Sequence, residues 1–300
     1  MSDPTPGHDA LEGQDPFTAH RALLFTIAYE MLGSAADAED VVQDSWLRWS
    51  AVDQSEVADP RAYLARVVTR QSLNRLRTLQ RQRESYVGPW LPEPLVTAAD
   101  VAEDTELAEA VSFAMLVVLE SLGPVERAVF VLREVFGFGY DDIAVTVDRS
   151  VPAVRQIAHR AREHVQARRP ARRPDRAEHQ QVVQRFVAAA AGGDLQALLD
   201  VLAPEAVLVS DTGGKAQAAR RTITGADKIA RLLVALRTAA DEMRMDPVTV
   251  NGASGAGVST NGGPVDSLFS VDVQDGRVTA IYLVRNPDKL VSLERREVAR

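Results

Sequence analysis

The sequence predicts a multidomain protein in which two all-α domains, the second carrying a helix-turn-helix, are followed by an α+β domain shaped like a cone. Helical periodicity dominates the first 168 residues, apart from one proline-rich interruption at residues 87–95. Between Gly139 and Arg173 a short helical pattern, a tight turn and a second, basic helical pattern follow one another. After residue 176, two helical patterns give way to β-type runs that end in a hairpin signal.

Composition sets the first limits on function. The chain has 300 residues, enough for two or three domains, and its 46% hydrophobic and 25% charged residues are typical of a folded globular protein. The absence of cysteine excludes disulfides, thiolate zinc sites and cysteine nucleophiles. No apolar run is long enough to cross a bilayer, and residues 1–7 lack the pattern of a signal peptide. We therefore expect a cytoplasmic protein with no membrane partner.

Charge is segregated along the chain. The net charge is −8, yet residues 1–59 contain twelve acids and two arginines, whereas residues 61–83 contain seven arginines and no acid. Such segregation predicts one surface for a protein partner and another for phosphate groups.

The first lobe begins after a tail, residues 1–15, whose Pro, Gly and Asp content predicts disorder. A first helix is expected from Asp15 to Leu32 and a second after the capping residue Ser34. The apolar side of the second helix includes Trp46 and Trp49, which we interpret as core residues because buried tryptophans are more common than interface ones.

The third helix opens at Asp59-Pro60 and carries the first cationic surface. Its basic residues are Arg61, Arg66, Arg70, Arg75, Arg77, Arg81 and Arg83. The amides of Gln71 and Asn74 add groups that can contact bases as well as phosphates. Two roles are open for the side chains of Tyr63 and Tyr86: stacking on unpaired bases, or packing within the protein.

The segment 87–95 predicts a stiff connector, since it holds three prolines in six residues. Helical pattern restarts near Asp104, breaks at Gly123-Pro124 and resumes from Val125 to Phe136. The helical part therefore divides into two lobes, about residues 15–85 and 103–168.

The helix-turn-helix pattern has its own start signals. Asp141 and Asp142 favour the start of the first helix, Ser150 can cap the second, and Pro152 falls in its first turn. The free face of the second helix carries Arg155, Gln156, His159, Arg160 and Arg162. An amphipathic helix pair with a solvated basic face would look similar. The basic run, which continues to Arg173 with Glu163 as its one acid, favours DNA binding.

The C-terminal part combines helices with strands. Helices are expected at about 177–191, 195–202 and 227–240, and strands at 206–210, 218–223, 247–251, 257–260, 265–273 and 277–284. Asp275-Gly276 is a hairpin signal between the last two strands. These patterns predict a curved antiparallel sheet wrapped round helices, with an internal pocket.

Several motifs together resemble the extracytoplasmic-function (ECF) sigma factors, the promoter-recognition subunits of bacterial RNA polymerase. The resemblance rests on residues 35–48 within 17–83, and on residues 122–130 with the helix-turn-helix within 110–165. Three further motifs are similar to those of the SigJ-like group, which has a C-terminal SnoaL-like (NTF2-like) extension. They are Trp90-Leu91-Pro92-Glu93-Pro94, Asn286-Pro287-Asp288-Lys289-Leu290 and Asp211-Thr212-Gly213-Gly214-Lys215, the last departing from the group at Thr212.

This resemblance implies a division of the chain and a partner for each part. It gives a tail (1–15), sigma region 2 (16–85), a proline-rich linker (86–102), sigma region 4 (103–168), a second linker (169–176) and a SnoaL-like regulatory domain (177–300). Region 2 would bind core RNA polymerase at the β′ clamp and promoter DNA at the −10 element. Region 4 would bind the β flap and the −35 element. The extension would contact the sigma domains within the molecule and regulate them in cis.

Site residues follow from the same resemblance. The polymerase-binding residues would be Asp37, Asp40, Gln43, Asp44, Trp46, Leu47 and Arg48. The DNA-binding residues would be Arg66, Gln71, Asn74, Arg75, Arg77, Arg81, Arg149, Ser150, Arg155, Gln156, His159, Arg160 and Arg162. The regulatory contact would involve Trp90, Leu91, Pro92, Glu93, Pro94, Asp211, Gly213, Gly214, Lys215, Asn286, Pro287, Asp288, Lys289 and Leu290.

Two alternatives remain for the cone-shaped domain: a small-molecule sensor, or a catalytic domain, fused to a DNA-binding module. Cone-shaped folds host enzymes that use a carboxylate base, and Asp200, Asp211 and Asp227 are the candidates here. A lone carboxylate in such a fold is more often a surface or turn residue. We therefore expect no enzymatic activity, no cofactor and no metal, and the sequence names no ligand.

Overall fold

A computed structural model describes residues 15–97, 112–168 and 175–290 of the chain. Most of the predicted tail, the start of the helix predicted near Asp104 and part of the second predicted linker lie outside the described residues. Within the described part, every helix is too short or too polar to span a membrane.

Lobe 1 consists of three helices, α1 (Pro16–Leu32), α2 (Ala35–Trp49) and α3 (Pro60–Arg83). Asp15 caps α1 by accepting a hydrogen bond from the backbone N–H of Thr18, and Ser34 caps α2 in the same way. The cap at Ser34 lies where the sequence predicts it, because a short polar side chain satisfies free N–H groups of a first turn. Asp15, predicted as the first residue of α1, is its cap instead.

Lobe 2 contains the helix-turn-helix. Its helices are α4 (Phe113–Leu119), α5 (Pro124–Phe130), α6 (Tyr140–Val147) and α7 (Val151–Arg168). The helix predicted over 125–136 continues after α5 as a π-helical turn, Val131–Val135. Asp148 adopts a left-handed conformation, with φ of 55°, and makes the tight turn between α6 and α7.

The two lobes share one hydrophobic core. Ile27 of α1 and Leu64 of α3 belong to the same buried cluster as Val129 of α5 and Ile143 of α6. The sequence predicts two lobes joined by a tether, and the structure packs them directly against each other. Lobe 2 therefore lies on lobe 1 through a continuous apolar interface.

The cone domain (residues 175–290) packs three helices on one face of a sheet. The helices are α8 (Arg176–Gly192), α9 (Leu195–Val201) and α10 (Ala226–Ala239). The strands are β1 (Val96–Thr97, from the connector), β2 (Leu202–Asp211), β3 (Ile223–Thr224), β4 (Met243–Val250), β5 (Ala253–Thr260), β6 (Val265–Gln274) and β7 (Arg277–Val284), in the order β1-β4-β5-β6-β7-β2-β3. Asp275 and Gly276 both have positive φ in the predicted β6–β7 hairpin.

The sheet differs from the prediction in three respects. It is mixed, because β2 runs parallel to β7. The strand predicted at 218–223 is reduced to β3, since no residue from 213 to 223 is buried and extended pairing there would bury no apolar face. The unpredicted strand β1 arises because Val96 and Thr97 pair with Val250 and Thr249 at the edge of β4.

Each face of the sheet has its own core. The face that meets the helices buries residues such as Phe186, Phe269 and Ile281. The opposite face buries Leu91 of the connector and Phe113 of lobe 2. The ring of Phe113 lies 5.9 Å from that of Tyr282 on β7. The connector is therefore enclosed between the sheet and the lobes.

Because Leu91 is fully buried in this second core, Leu91→Ala should lower the free energy of unfolding by about 3 kcal/mol through lost burial and a residual cavity. Chemical denaturation measures the change. The matched control is Leu236→Ala, since Leu236 is 41% exposed on α10 and its truncation should change stability by less than about 0.5 kcal/mol. Equal effects of the two substitutions would contradict the burial of the connector.

Candidate functional sites

A buried carboxylate, that of Asp211, lies at the end of β2. Its Oδ1 atom accepts a hydrogen bond from the hydroxyl of Tyr86 at 2.5 Å. Its Oδ2 atom accepts hydrogen bonds from the backbone N–H of Leu91 at 2.9 Å and from Nζ of Lys289 at 2.7 Å. A buried charge needs such partners, because a carboxylate removed from water without them is strongly destabilising.

Lys289 completes this arrangement from the other end of the cone domain. Its Nζ atom also donates to the carbonyl of Leu91 at 2.5 Å and lies 3.2 Å from the ring centroid of Trp90. Burial lowers the pKa of Lys289 to about 8, although the charge of Asp211 acts in the opposite direction. We call Tyr86, Trp90, Leu91, Asp211, Asn286 and Lys289 the latch.

Two turns hold the latch residues in place. Asn286 caps the 3₁₀ turn Pro287–Lys289 and donates from Nδ2 to the hydroxyl of Tyr86 at 2.9 Å. Gly213 has a φ of 57°, and a Cβ atom there would lie 2.6 Å from Nδ2 of Asn286, so this position requires glycine. The hydroxyl of Thr212 accepts a hydrogen bond from the backbone N–H of Gly214 at 3.2 Å. The turn therefore forms despite the departure at Thr212.

The remaining predicted regulatory residues lie around this centre. Lys215 and Asp288 form an exposed ion pair, with 2.5 Å between Nζ and Oδ2, which contributes little to stability. Pro92 and Pro94 are buried in the connector, and Leu290 is buried with Leu91 on the sheet. The three motifs, far apart in the sequence, thus meet at one place.

The connector is also bound to lobe 1. The carboxylate of Glu93 accepts hydrogen bonds from the backbone N–H of Ala35 at 2.9 Å and the hydroxyl of Ser34 at 3.2 Å. Its backbone N–H donates to the carbonyl of Gly33 at 2.7 Å, and its carbonyl accepts from the hydroxyl of Tyr29 at 2.6 Å. The carboxylate therefore lies at the N-terminus of α2, where negative charge is favourable, although burial raises its pKa.

A buried ionic cluster joins the two lobes beside the latch. Arg127 of lobe 2 is 1% exposed and donates to the carbonyl of Glu30 in α1 and to Glu120, each at 2.7 Å. Glu120 also pairs with Arg83 of α3. The guanidinium of Arg83 lies 4.2 Å from the ring centroid of Trp90. The cluster therefore connects lobe 1, lobe 2 and the connector.

The predicted polymerase-binding residues form an exposed face of α2. Asp40, Gln43, Asp44, Trp46, Leu47 and Arg48 are all exposed. Trp46 and Leu47 are 47% and 60% exposed, whereas Trp49 is buried. The prediction that both tryptophans belong to the core is therefore wrong for Trp46. It lies about 60° round the helix from Trp49, at the edge of the buried side, where its ring meets that of Phe17. Asp37 is half-buried and pairs with Arg75 at 2.5 Å.

The predicted DNA-binding residues of α3 divide between two sides of the helix. Gln71 donates to the hydroxyl of Ser45 at 2.8 Å and Arg75 pairs with Asp37, so both face α2. The other side of α3 carries four of the predicted residues, at successive spacings of eight, three and four: Arg66, Asn74, Arg77 and Arg81.

On lobe 2 the predicted DNA-binding residues lie on the exposed face of α7. Arg149, Ser150, Arg155, Gln156, His159 and Arg160 are exposed, while Val154, Ala158 and Ala161 are buried on the opposite side. The guanidinium of Arg155 lies 5.5 Å from the ring centroid of Tyr140. Arg162 differs from the others, because two hydrogen bonds join it to Glu134 at 2.6 and 3.1 Å.

The candidate bases of the cone domain lie apart from one another. Asp211 belongs to the latch, Asp227 pairs with Arg231 at 2.9 Å, and Asp200 accepts a hydrogen bond from Gln196 at 3.0 Å. The space between helices and sheet, where a pocket was predicted, is packed by apolar side chains. A cavity of about 670 Å³ lies instead at the rim, lined by Leu199, Pro204, Thr224, Asp227 and Arg277 among others. Among the described residues, no cluster of His, Asp and Glu could hold a metal ion.

Comparison with known proteins identifies relatives over most of the chain. Residues 17–82 match Sigma-70 region 2, and residues 112–165 match Sigma-70, region 4. The chain is 39% identical to the ECF RNA polymerase sigma factor SigJ of Mycobacterium tuberculosis, over 91% of each sequence. It is 31% identical to the probable ECF RNA polymerase sigma factor SigI of that species, over 91% of this chain and 92% of the relative. The crystal structure of M. tuberculosis SigJ, 36% identical, matches with a TM-score of 0.76 over 92% of this chain and 97% of that one.

The lowered pKa of Lys289 predicts how the latch responds to pH. When the latch opens, Lys289 should regain an ordinary pKa near 10.4, so between about pH 8 and that value the open latch binds more protons. Raising the pH through this window therefore favours the closed latch. Of the charged groups around the amine, Asp211 and Glu120 favour its charged form and Arg83 opposes it. The pKa of Tyr86 is raised by burial and by Asp211, so this phenol stays neutral.

The backbone N–H of Leu91 donates a hydrogen bond to Asp211, and the rate of its hydrogen exchange measures the response. Its protection factor, corrected for the intrinsic exchange rate, should rise by at most about tenfold per pH unit across the window. In Lys289→Met, which has no amine to titrate, the protection factor should stay level. Protection that falls with pH in the unsubstituted chain would contradict the direction assigned to Lys289.

Proposed function

Because the chain belongs to the ECF sigma factors of RNA polymerase, we propose that it directs promoter-specific transcription initiation and that its cone domain regulates this activity in cis through the latch. One observation supports the regulatory part of this proposal: the connector, the two lobes and the cone domain meet around the ion pair of Asp211 and Lys289. The relatives named above are sigma factors, which act by binding polymerase and promoter.

The face of α2 is the proposed contact with core polymerase. Trp46 and Leu47 are large, exposed apolar residues, and exposed Asp40, Gln43, Asp44 and Arg48 lie around them. An apolar centre with a polar rim is typical of a protein interface. Asp37 joins this surface at its edge, where it pairs with Arg75.

Promoter DNA is assigned to both lobes. The exposed residues at the start of α7, including Arg155 and Gln156, would enter the major groove of the −35 element, with arginine and amide groups reaching base edges. Arg66, Asn74, Arg77 and Arg81 on α3 would hold the melted −10 strand, Gln71 and Arg75 lying at the margin towards α2. Arg149, Ser150, His159 and Arg160 would contact phosphates, as would Arg162 once it leaves Glu134.

The regulatory role follows from the distance between the two promoter elements. The −10 and −35 elements are separated by about 85 Å of B-form DNA, at about 3.4 Å per base pair. In the closed arrangement the two lobes share one core, and a compact body of that size is only about 35–40 Å across. Engagement of both elements therefore requires the two lobes to separate.

The latch opposes that step. Closure places lobe 2 on lobe 1 and places Phe113 on the sheet, so opening separates these surfaces together. A contact with two discrete arrangements is what a regulated switch requires. The proposed sequence is closure in the free chain, then release of the connector as polymerase and promoter are bound.

Reading of the −35 element by α7 predicts that Arg155→Ala should lower promoter-specific transcription by about tenfold or more while polymerase binding is unchanged. Reconstituted transcription with bacterial core polymerase and a pull-down of that enzyme give the two measurements. Arg231→Ala, at an exposed position of α10, is the matched control and should change neither. Loss of polymerase binding in Arg155→Ala would contradict the role assigned to α7.

Regulation in cis predicts different activities for chains with intact and broken latches. Lys289→Met and Asp211→Asn should each raise transcription several-fold, because each leaves a buried partner unpaired and so favours opening. Truncation after Pro174 should also change activity, as should truncation just before Asn286. Lys215→Met, which removes only the exposed pair with Asp288, is the control. If all these chains were equally active, the regulatory proposal would be wrong.

A further inference from the structure

Arg70 lies in the middle of the proposed DNA face of α3. Arg66, Arg70, Asn74, Arg77 and Arg81 are spaced by four, four, three and four residues, which places all five on one side of a helix. Arg66, Asn74, Arg77 and Arg81 are assigned to the melted strand, whereas Arg70 is not. Its position between Arg66 and Asn74 makes it part of the same surface.

In the free chain this guanidinium binds lobe 2. Its Nη2 atom donates to the carbonyl of Val145 at 2.6 Å, and its Nε atom donates to the carbonyl of Thr146 at 3.1 Å. Both carbonyls belong to the last turn of α6, the first helix of the helix-turn-helix. Carbonyls at a helix C-terminus have no partner within the helix and carry partial negative charge. The end of α6 therefore offers Arg70 two acceptors on a negative pole, much as a phosphate would.

A second arginine of α3 makes a related contact. The guanidinium of Arg61 lies 4.7 Å from the ring centroid of Phe138, just before α6. One turn before Arg70, the buried Nε atom of Arg66 has no hydrogen-bond acceptor within the described part of the chain. Buried donors are nearly always paired, so the closed arrangement leaves this part of the DNA face incompletely satisfied.

We propose that Arg70 is a further phosphate-binding residue for the melted promoter strand, and that the C-terminus of α6 occupies its place in the free chain. Docking of lobe 2 and binding of the strand then compete for one guanidinium. This inference rests on the proposed function, because it takes the assignment of α3 to the −10 element as its premise.

Competition of this kind has a direction. A guanidinium–phosphate contact joins two full charges and is stronger than a contact with neutral carbonyls. A ligand shifts an equilibrium only by its differential affinity for the two states, and here the strand gains Arg70 only in the open state. Binding of the strand should therefore favour separation of the lobes, while closure should weaken adventitious binding of single strands by the free chain.

The experiment uses the full chain, which has no cysteine of its own. Thr78→Cys on α3 and Gln166→Cys on α7, both exposed, carry a pair of fluorescent dyes that report the distance between the lobes. A single-stranded oligonucleotide of about ten nucleotides is titrated, and its affinity and the dye separation are recorded together. Circular dichroism checks the fold of each variant.

Two variants separate opening from DNA contact. Glu120→Gln removes the ion pair between lobe 2 and Arg83 of lobe 1 and leaves the DNA face unchanged, so it should increase the dye separation and tighten oligonucleotide binding. Arg70→Ala should also increase the separation, but should bind the oligonucleotide about tenfold more weakly than Glu120→Gln. Arg21→Ala, which removes an exposed pair within lobe 1, should leave the separation unchanged.

The outcomes distinguish this inference from its premise. Oligonucleotide binding to the unsubstituted chain at constant dye separation would overturn the competition, as would equal affinities of Arg70→Ala and Glu120→Gln. If Glu120→Gln opened the lobes and still bound no oligonucleotide, the assignment of α3 to the melted strand would fail, and the inference with it. The transcription assays with core polymerase would then show whether the wider function survives.

Discussion

The ion pair between Asp211 and Lys289 is the interaction on which the arrangement of the whole chain depends. Two charges removed from water are destabilising unless hydrogen bonds replace the lost hydration. Here the replacements come from the connector: the hydroxyl of Tyr86, both backbone groups of Leu91 and the ring of Trp90. The cone domain therefore has partners for these buried charges only while it holds the connector. The lowered pKa of Lys289 indicates that desolvation is incompletely offset even then.

Polar contacts recur between the parts of the molecule that the proposed opening would separate. The latch, the cluster of Arg83, Glu120 and Arg127, and the contact of Arg70 with α6 all lie between segments that closure brings together. Opening rehydrates these groups, which offsets part of the interaction energy that is lost. The apolar side chains at the same junctions gain no favourable hydration on opening, and re-exposing Phe113 alone costs about 1.5–3 kcal/mol. Apolar contacts thus favour closure, and polar contacts keep the difference between the states small.

The sequence predicted the local features well and the long-range pairings poorly. The caps at Ser34 and Ser150 and the turn at Asp275-Gly276 depend on neighbouring residues, and all are present. The parallel pairing of β2 with β7 joins segments about seventy residues apart, and no local pattern reports it. The exposure of Trp46 depends on where lobe 1 places α2, because Trp46 and Trp49 are equally apolar.

The same division applies to the candidate sites. Family resemblance groups the motifs around Trp90, Asp211 and Asn286, but the contacts that join them depend on the folded structure. Asp211 binds a backbone N–H of residue 91, and backbone groups carry no signal in a sequence. For the same reason, the sequence does not distinguish Arg70 from the other six arginines of α3, because its partners are the backbone carbonyls of Val145 and Thr146. Spacing along α3 identified the surface, and only the fold identified what covers it.

Covalent fusion of the regulator to the sigma domains explains why a modest contact is enough. A domain attached to its target is present at an effective concentration of about millimolar or higher, so the latch need not supply the affinity that a separate protein requires. Closure held by a small free-energy difference can be reversed by a few new contacts, because an equilibrium near balance shifts tenfold for each 1.4 kcal/mol. Under the proposed assignments, polymerase on the exposed face of α2 and a DNA strand on α3 would each supply contacts of that size. A polar latch reinforced by one apolar surface is thus suited to the proposed cycle, in which the chain stays closed alone and opens on its target.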